Sequence, residues 1–169
     1  MSLVERVRKS IDGALARFLG PEQLAATAGA SWTVERPKRA EHGDYATNVA
    51  MVLTKKVGMP PRAIAEKLVE ALNGDGVVKA AEIAGPGFVN LRLHPRAIHE
   101  ELAQILADGS AYGRGASKTK ERIDVEFVSA NPTGPITVAA ARNGIYGDAI
   151  CTLLEMTGNT VTREYYLND

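Results

Sequence analysis

The sequence predicts an α+β protein, an N-terminal antiparallel sheet with helices packed on it, followed by a short βαβ unit. Three observations carry this. Four stretches before residue 107 repeat apolar residues every three or four positions, the period of a helix buried on one side. Two apolar runs flank Gly85-Pro86-Gly87, the pattern of two strands joined by a tight turn. From Ile123 onward a β-branched run, a proline- and glycine-rich break and an alanine-rich helical stretch follow one another, the first half of a βαβ unit.

Ser2 and Glu5 have capping-box spacing, with Ser2 as N-cap. Val4, Val7, Ile11, Leu15 and Phe18 then recur on one helix face until Gly20-Pro21 ends it. Residues 31–35 suit a short strand closed by Pro37, and Pro37 to Tyr45, with Lys38, Arg39 and His42, reads as irregular. Asp44 or Thr47 can cap a helix carrying Val49, Val52, Leu53 and Val57, which Gly58 ends. Pro60-Pro61 opens the next, with Ile64, Leu68 and Leu72 inside and Asn73-Gly74 as its stop. Val77 to Ile83 and Phe88 to Leu93 are the hairpin strands, and Pro95 starts a helix with Ile98, Leu102, Ile105 and Leu106, ending at Asp108-Gly109. Gly109 to Lys120 is glycine- and serine-rich without apolar period, and basic at Arg114, Lys118 and Lys120. The expected division is a domain over residues 1–108, a linker over 109–122 and a βαβ piece over 123–169.

Composition excludes several classes. An apolar share of 45% and a charged share of 24% are ordinary for a soluble globular chain of 169 residues. Twenty basic and twenty acidic residues cancel, so any contact with nucleic acid must come from a local patch. The single cysteine, Cys151, precludes an internal disulfide and fits a reducing compartment. No run approaches the ~20 apolar residues of a membrane span. The N-terminus has no signal-peptide core, and the expected location is cytoplasmic, with no membrane partner.

The stretch DVEFVSANPTGPITVAAARNGIYGD, Asp124 to Asp148, organises the second half. Ile123, Val125, Phe127 and Val128 make a strand, and Pro132, Gly134 and Pro135 break it. Val138, Ala141, Ile145, Ala149, Ile150, Leu153 and Leu154 then lie at helical spacing on one face. In open α/β sheets the ligand sits at the carboxyl end of such a strand, against the helix N-terminus.

EFVSANPTGP, the following helix ending in GD, and VTREYYLND resemble the start of the catalytic domain of arginyl-tRNA synthetases, a family of class I aminoacyl-tRNA synthetases. EHGDYATNVA and IAGPGFVNLRL resemble that family's N-terminal additional domain. The resemblance covers nearly the whole chain and implies a truncated Rossmann-like βαβ unit after the N-terminal domain. It also implies tRNA as partner and ATP as the family's co-substrate. One departure stands out. The family carries His-x-Gly-His after a leucine-like residue, where this chain reads Ile136-Thr137-Val138-Ala139-Ala140.

Alternation on the last hairpin strand puts Val89, Leu91 and Leu93 on one side and Phe88, Asn90 and Arg92 on the other. A ring, an amide and a guanidinium are the groups that read unpaired nucleotides by stacking, edge hydrogen bonds and phosphate attraction. Taken alone, the pattern fits better a half-exposed strand whose Phe88 is covered by a neighbouring element. The resemblance tips the reading to RNA, because Gly85, Phe88 and Asn90 fall where the family contacts the D-loop of tRNA. Glu126, Ser129 and Asn131 cluster at a strand end, where turn chemistry explains them as well as a ligand does. The resemblance implies a remnant of the arginine site there. Thr137 and Ala140 stand at the histidine positions, and losing one such preorganised donor costs ~10²–10³ in rate by analogy with oxyanion-hole donors.

The chain also lacks the family's Lys-Met-Ser-Lys-Ser-type loop and anticodon-binding domain. The expectation is therefore a truncated, catalytically inactive relative that binds tRNA and no ATP. The rivals are a fragment of an active arginine–tRNA ligase, and a protein-interaction module that has lost RNA binding. The lone βαβ unit, too small to close a core, is expected to self-associate or to dock on the N-terminal domain. His42, His94 and His99 have no metal-ligand spacing, Cys151 reads as a packed thiol, and Tyr165 and Tyr166 read as strand packing.

Overall fold

The computed structural model describes residues 1–115, 117 and 119–166. These fall into two compact units, Met1–Ala107 and Asp108–Asp169.

In the first unit, α1 (Leu3–Phe18) begins at the expected capping box: Ser2 Oγ accepts from Glu5 N at 3.3 Å, and the Glu5 carboxylate accepts from Ser2 N at 2.8 Å. Its apolar stripe is buried at Val7, Ile11, Ala14 and Leu15. Gly20-Pro21 ends this helix but also starts α2 (Pro21–Ala26), which the sequence reading missed. Proline at the first helical position lacks an N–H that would be unpaired there anyway. The sheet holds β1 (Val34–Glu35), β2 (Tyr45–Thr47), β3 (Val78–Ala84) and β4 (Phe88–Leu93), in the order β1-β2-β4-β3 and antiparallel throughout.

β2 falls where an irregular segment and a helix cap were expected. Three residues are too few to show a period, and β2 forms because β4 supplies partners for it. The N-cap of α3 (Val49–Val57) is Asn48, not Asp44 or Thr47 as expected, though Thr47 Oγ1, one residue earlier, accepts from Val49 N at 3.2 Å. α4 (Pro61–Leu72) buries Ile64, Ala65, Leu68 and Leu72. These side chains meet Val7, Ile11, Leu53, Val89 and Leu91 in one core cluster.

α5 (Pro95–Asp108) has the expected bounds, but its apolar stripe does not enter this core. Ile98, Leu102, Ile105 and Leu106 are all exposed, and Ala97 is the helix's buried residue. The spacing identifies an amphipathic helix without identifying what covers it. What fastens α5 is polar: Arg6 donates to Ala97 O at 3.2 Å and to the Glu100 carboxylate at 2.7 Å. Hydrogen bonds from Arg96 and Arg6 hold the Glu100 carboxyl below the usual carboxylate range.

The second unit is a parallel pair, β5 (Arg122–Glu126) and β6 (Thr160–Glu164), joined through α6 (Val138–Met156). The register runs from Arg122↔Thr160 to Glu126↔Glu164. Gly115 N donates to Met156 O at 2.8 Å and Ser117 N to Thr157 O at 3.0 Å, so part of the 109–122 segment is bonded to this unit. Lys118, offered above as a basic linker residue, lies outside the described residues, as do Leu167, Asn168 and Asp169 of the VTREYYLND motif.

The face of α6 also differs from expectation. Val138, Ile145 and Leu153 are exposed, at 88%, 74% and 61%, while Gly147 and Cys151 are the buried positions. α6 is apolar nearly all round, so spacing alone selects no face, and the one with small residues goes to the strands. Cys151 is packed as expected, with no exposure.

The connection from β1 to β2 makes its tightest approach at Gly43, where φ is +105° and an added Cβ would lie 2.6 Å from Leu91 O. Gly43→Ala is expected to destabilise the first unit by ~1–3 kcal/mol or more, since an L-residue is both strained and blocked there. Chemical denaturation followed by circular dichroism measures this, and an unchanged midpoint would mean that the loop does not need its close approach to β4.

Candidate nucleic-acid interface and amino-acid pocket

β4 delivers the alternation read from the sequence. Val89 and Leu91 have no exposure and Leu93 has 5%, whereas Phe88 is 42% exposed, Arg92 is exposed and Asn90 is half-buried. Phe88 is therefore not covered by another element. Three of the partners on the outer face are small, Ala84 opposite Phe88, Ala46 opposite Asn90 and Ala80 opposite Arg92, while Glu82 stands on the other side of Asn90. The larger side chains of β4 thus stand above a low, flat surface.

A pocket of about 230 Å³ opens beside them, lined by Ala84, Gly85, Phe88 and Asn90 of the β3–β4 hairpin and by Pro37 and His42 of the preceding loop. Gly85, Phe88 and Asn90 are thus brought together, and His42 joins them unanticipated. Arg92 does something else as well. Its guanidinium donates to Glu41 O, tying the short 3-10 turn Ala40–His42 to the sheet.

In the second unit the chain leaves β5 through Val128 and Ser129, both left-handed, with φ of 70° and 38°. For a β-branched residue this is a strained conformation. It is held from several sides. Asn143 Oδ1 of α6 accepts from Val128 N at 2.7 Å, and Tyr166 N donates to Ser129 Oγ at 3.2 Å. Tyr165 Oη donates to Ala130 O at 3.3 Å. The two tyrosines, expected as strand packing, are exposed and instead brace this loop from beyond the end of β6.

Of the expected arginine-site residues, Glu126 and Ser129 meet, the hydroxyl donating to Glu126 Oε1 at 2.6 Å. Asn131 lines a neighbouring pocket of about 440 Å³ with Pro132, Thr133, Thr137 and Tyr165. At the histidine positions, Thr137 is the N-cap of α6, its Oγ1 accepting from Ala140 N at 3.2 Å. Between them the two positions offer a phosphate one side-chain donor, the Thr137 hydroxyl, which accepts in the cap and keeps its own hydrogen to donate; Ala140 has none.

Three further residues went unread. An added Cβ at Gly147 would fall 2.6 Å from Phe127 Cβ, and one at Gly144 would fall 3.1 Å from Val128 Cγ2. Together with Asn143 they set how closely α6 approaches the end of β5, and the run Asn143-Gly144 with Gly147 inside a helical pattern was the available signal. Arg163 of β6 bonds Asp148 at 2.9 Å and Glu155 at 2.6 Å, both on α6. The Arg163 bond holds the Glu155 carboxyl below its usual range, so this support is present above the ordinary glutamate pKa and is lost as pH falls through the lowered one. Among the described residues no cluster of metal-ligating side chains occurs and no helix is long and apolar enough to cross a membrane.

A parallel strand–helix–strand unit with its loop at the carboxyl end of the first strand is the opening of a nucleotide-binding α/β domain. Family models agree. "Arginyl tRNA synthetase N terminal domain" matches residues 5–93, and "tRNA synthetases class I (R), catalytic domain" matches residues 101–169. The chain belongs to the arginyl-tRNA synthetase family. It is 48% identical over its whole length to the arginine–tRNA ligase of Paracoccus denitrificans, of which it spans 29%. It is 54% identical over 137 residues, 80% of its length, to that of Rhodospirillum rubrum, of which it spans 23%. The arginyl-tRNA synthetase of Thermus thermophilus superposes over 99% of this chain and 26% of its own, with a TM-score of 0.65 and 27% identity. That of Plasmodium falciparum, at 16% identity, shares the fold over 98% of this chain and 30% of its own, with a TM-score of 0.64. The chain thus spans less than a third of these relatives.

Gly147→Ala is expected to destabilise the second unit by ~1–3 kcal/mol through overpacking against Phe127. Adding Phe127→Ala should recover part of that loss, because the two sites share one contact. Equal losses in the single and double variants, measured by hydrogen exchange on β5 amides, would contradict the close-approach account.

Proposed function

We propose that this chain binds tRNA through the outer face of its four-stranded sheet and does not itself activate arginine. The observation that carries the RNA reading is the exposure of Phe88 beside Asn90, in an open pocket on the outer face of the sheet. An aromatic ring that adds nothing to the core and stands next to a hydrogen-bonding amide is suited to stacking an unpaired base and reading its edge. The family's N-terminal domain, matched over residues 5–93, supports the same reading.

The inactive reading rests on residues 137 and 140. Adenylate formation needs donors aimed at phosphate oxygens as charge develops. Thr137 Oγ1 already accepts from Ala140 N, and Ala140 offers only that backbone donor. Ser129 spends its hydroxyl hydrogen on Glu126 Oε1, so it has none left to donate to a ligand in this arrangement.

Two measurements test these statements. Phe88→Ala should weaken tRNA binding roughly tenfold or more, in line with ~1–3 kcal/mol of stacking per base, and should leave the melting temperature unchanged. Unaltered affinity together with a sharply lower melting temperature would make the ring structural and remove the RNA role. Calorimetry with ATP should give no low-micromolar binding, and pyrophosphate exchange in the presence of arginine should stay at background. Exchange above background would overturn the inactive reading.

A further inference from the structure

α6 turns an apolar face to solvent. Val138, Ile145, Tyr146 and Leu153 are 88%, 74%, 69% and 61% exposed, and Arg142 and Ala149 lie exposed between them. At about 3.6 residues per turn these six positions share about a third of the helix circumference. The buried residues Gly147 and Cys151 are on the opposite side, against the strands. The spacing is also symmetric. Counted from the midpoint between Ile145 and Tyr146, Val138 and Leu153 are equally distant, and so are Arg142 and Ala149.

We propose that this face binds a second copy of the chain through an antiparallel α6–α6 contact, with the two-fold axis at that midpoint. A two-fold interface requires a patch that complements itself, and the symmetric spacing supplies one. Val138 then faces Leu153 of the copy, Ile145 faces Tyr146, and Arg142 faces Ala149. Size and charge suit the arrangement. Arg142 has no ion pair or hydrogen bond among the described residues, and a small alanine opposite leaves its stem room to lie along apolar surface. Ala139, Arg142, Asn143 and Tyr146 line a hollow of about 370 Å³. Their i, i+3, i+4, i+7 spacing is that of the hole which a facing helix fills in a coiled coil. From Val138 to Leu153 the stripe runs ~22 Å along a helix ~10 Å across. That is well below the ~800 Å² per partner of a stable complex, so the dimer is weak and exchanges with monomer.

The test is analytical ultracentrifugation of the full chain between ~10 μM and ~1 mM, the range in which a weak dimer populates. The wild type should move from monomer toward dimer as concentration rises. Ala149→Arg sets like charges against Arg142 at two symmetric places and should weaken the dimer about fivefold or more, whereas Ala149→Glu sets opposite charges there and should tighten it by a similar factor. Arg142→Glu added to Ala149→Arg should restore association, because the pair is then reversed. Both positions are exposed, so far-ultraviolet circular dichroism should be the same for all variants. A monomer over the whole range would overturn the proposal. So would a dimer indifferent to both substitutions at 149, or one weakened equally by the two, since neither obeys the Arg142–Ala149 register. Hydrogen-exchange protection of α6 only on adding the C-terminal remainder of the Paracoccus denitrificans ligase, with no dimer in its absence, would assign the face to that partner instead.

Discussion

Asp44 places two hydrogen bonds on consecutive inward residues of β4, and the first unit's candidate site depends on that attachment. Its backbone takes Leu91 O and its carboxylate takes Leu93 N, so β4 is held where β2 begins and the loop before it lies flat on the sheet. Gly43 makes the approach possible, since any side chain there would meet the Leu91 carbonyl. The consequence is chemical as well as structural. β4 is central, paired on one edge by β2 and on the other by β3, and its outer side chains are displayed with little freedom to retreat. A rigid strand presenting a ring and an amide loses little entropy on binding, which is how a small patch gains useful affinity.

The second unit depends on a close contact of another kind. α6 comes against the end of β5 through glycine, and the chain leaving β5 is forced into left-handed conformations at Val128 and Ser129. Such strain persists when surrounding bonds over-determine it, and here Asn143, Tyr165 and Tyr166 supply them. The loop that would hold an amino acid is consequently built by three segments far apart in sequence. Arg163 adds a charged tie between β6 and two acids of α6, and it lies on the exposed side of the unit, where salt weakens it.

β4 was legible because a strict two-residue alternation is bounded on one side by Gly85-Pro86-Gly87 and on the other by His94-Pro95. The Ser2–Glu5 capping box was legible because both partners are local. What could not be read depended on contacts distant in sequence. β2 exists through its pairing with β4, and His42 reaches the pocket beside Phe88 on a turn that Arg92 bonds to the sheet at Glu41 O. α5 and α6 failed for a shared reason. Periodicity marks residues that can be buried, and on α5 the buried anchor is a small alanine beside an arginine clasp, while on α6 it is a glycine and a cysteine. Phe88 was the opposite case, since a phenylalanine on a strand is usually covered and the bland reading would have hidden it.

Position 137 links fold to chemistry in the second unit. A threonine there is a good N-cap, and its hydroxyl satisfies one of the backbone donors that a helix start leaves open. The hydroxyl accepts in that bond and keeps its own hydrogen to donate, while position 140 adds no side-chain donor beside it. Nothing comparable occurs on β4, where Phe88 and Asn90 sit on a core-packed strand whose inward residues do the structural work. The two units thus differ in what they expose, an aromatic ring and an amide on a core-packed strand in the first and an internally hydrogen-bonded loop in the second.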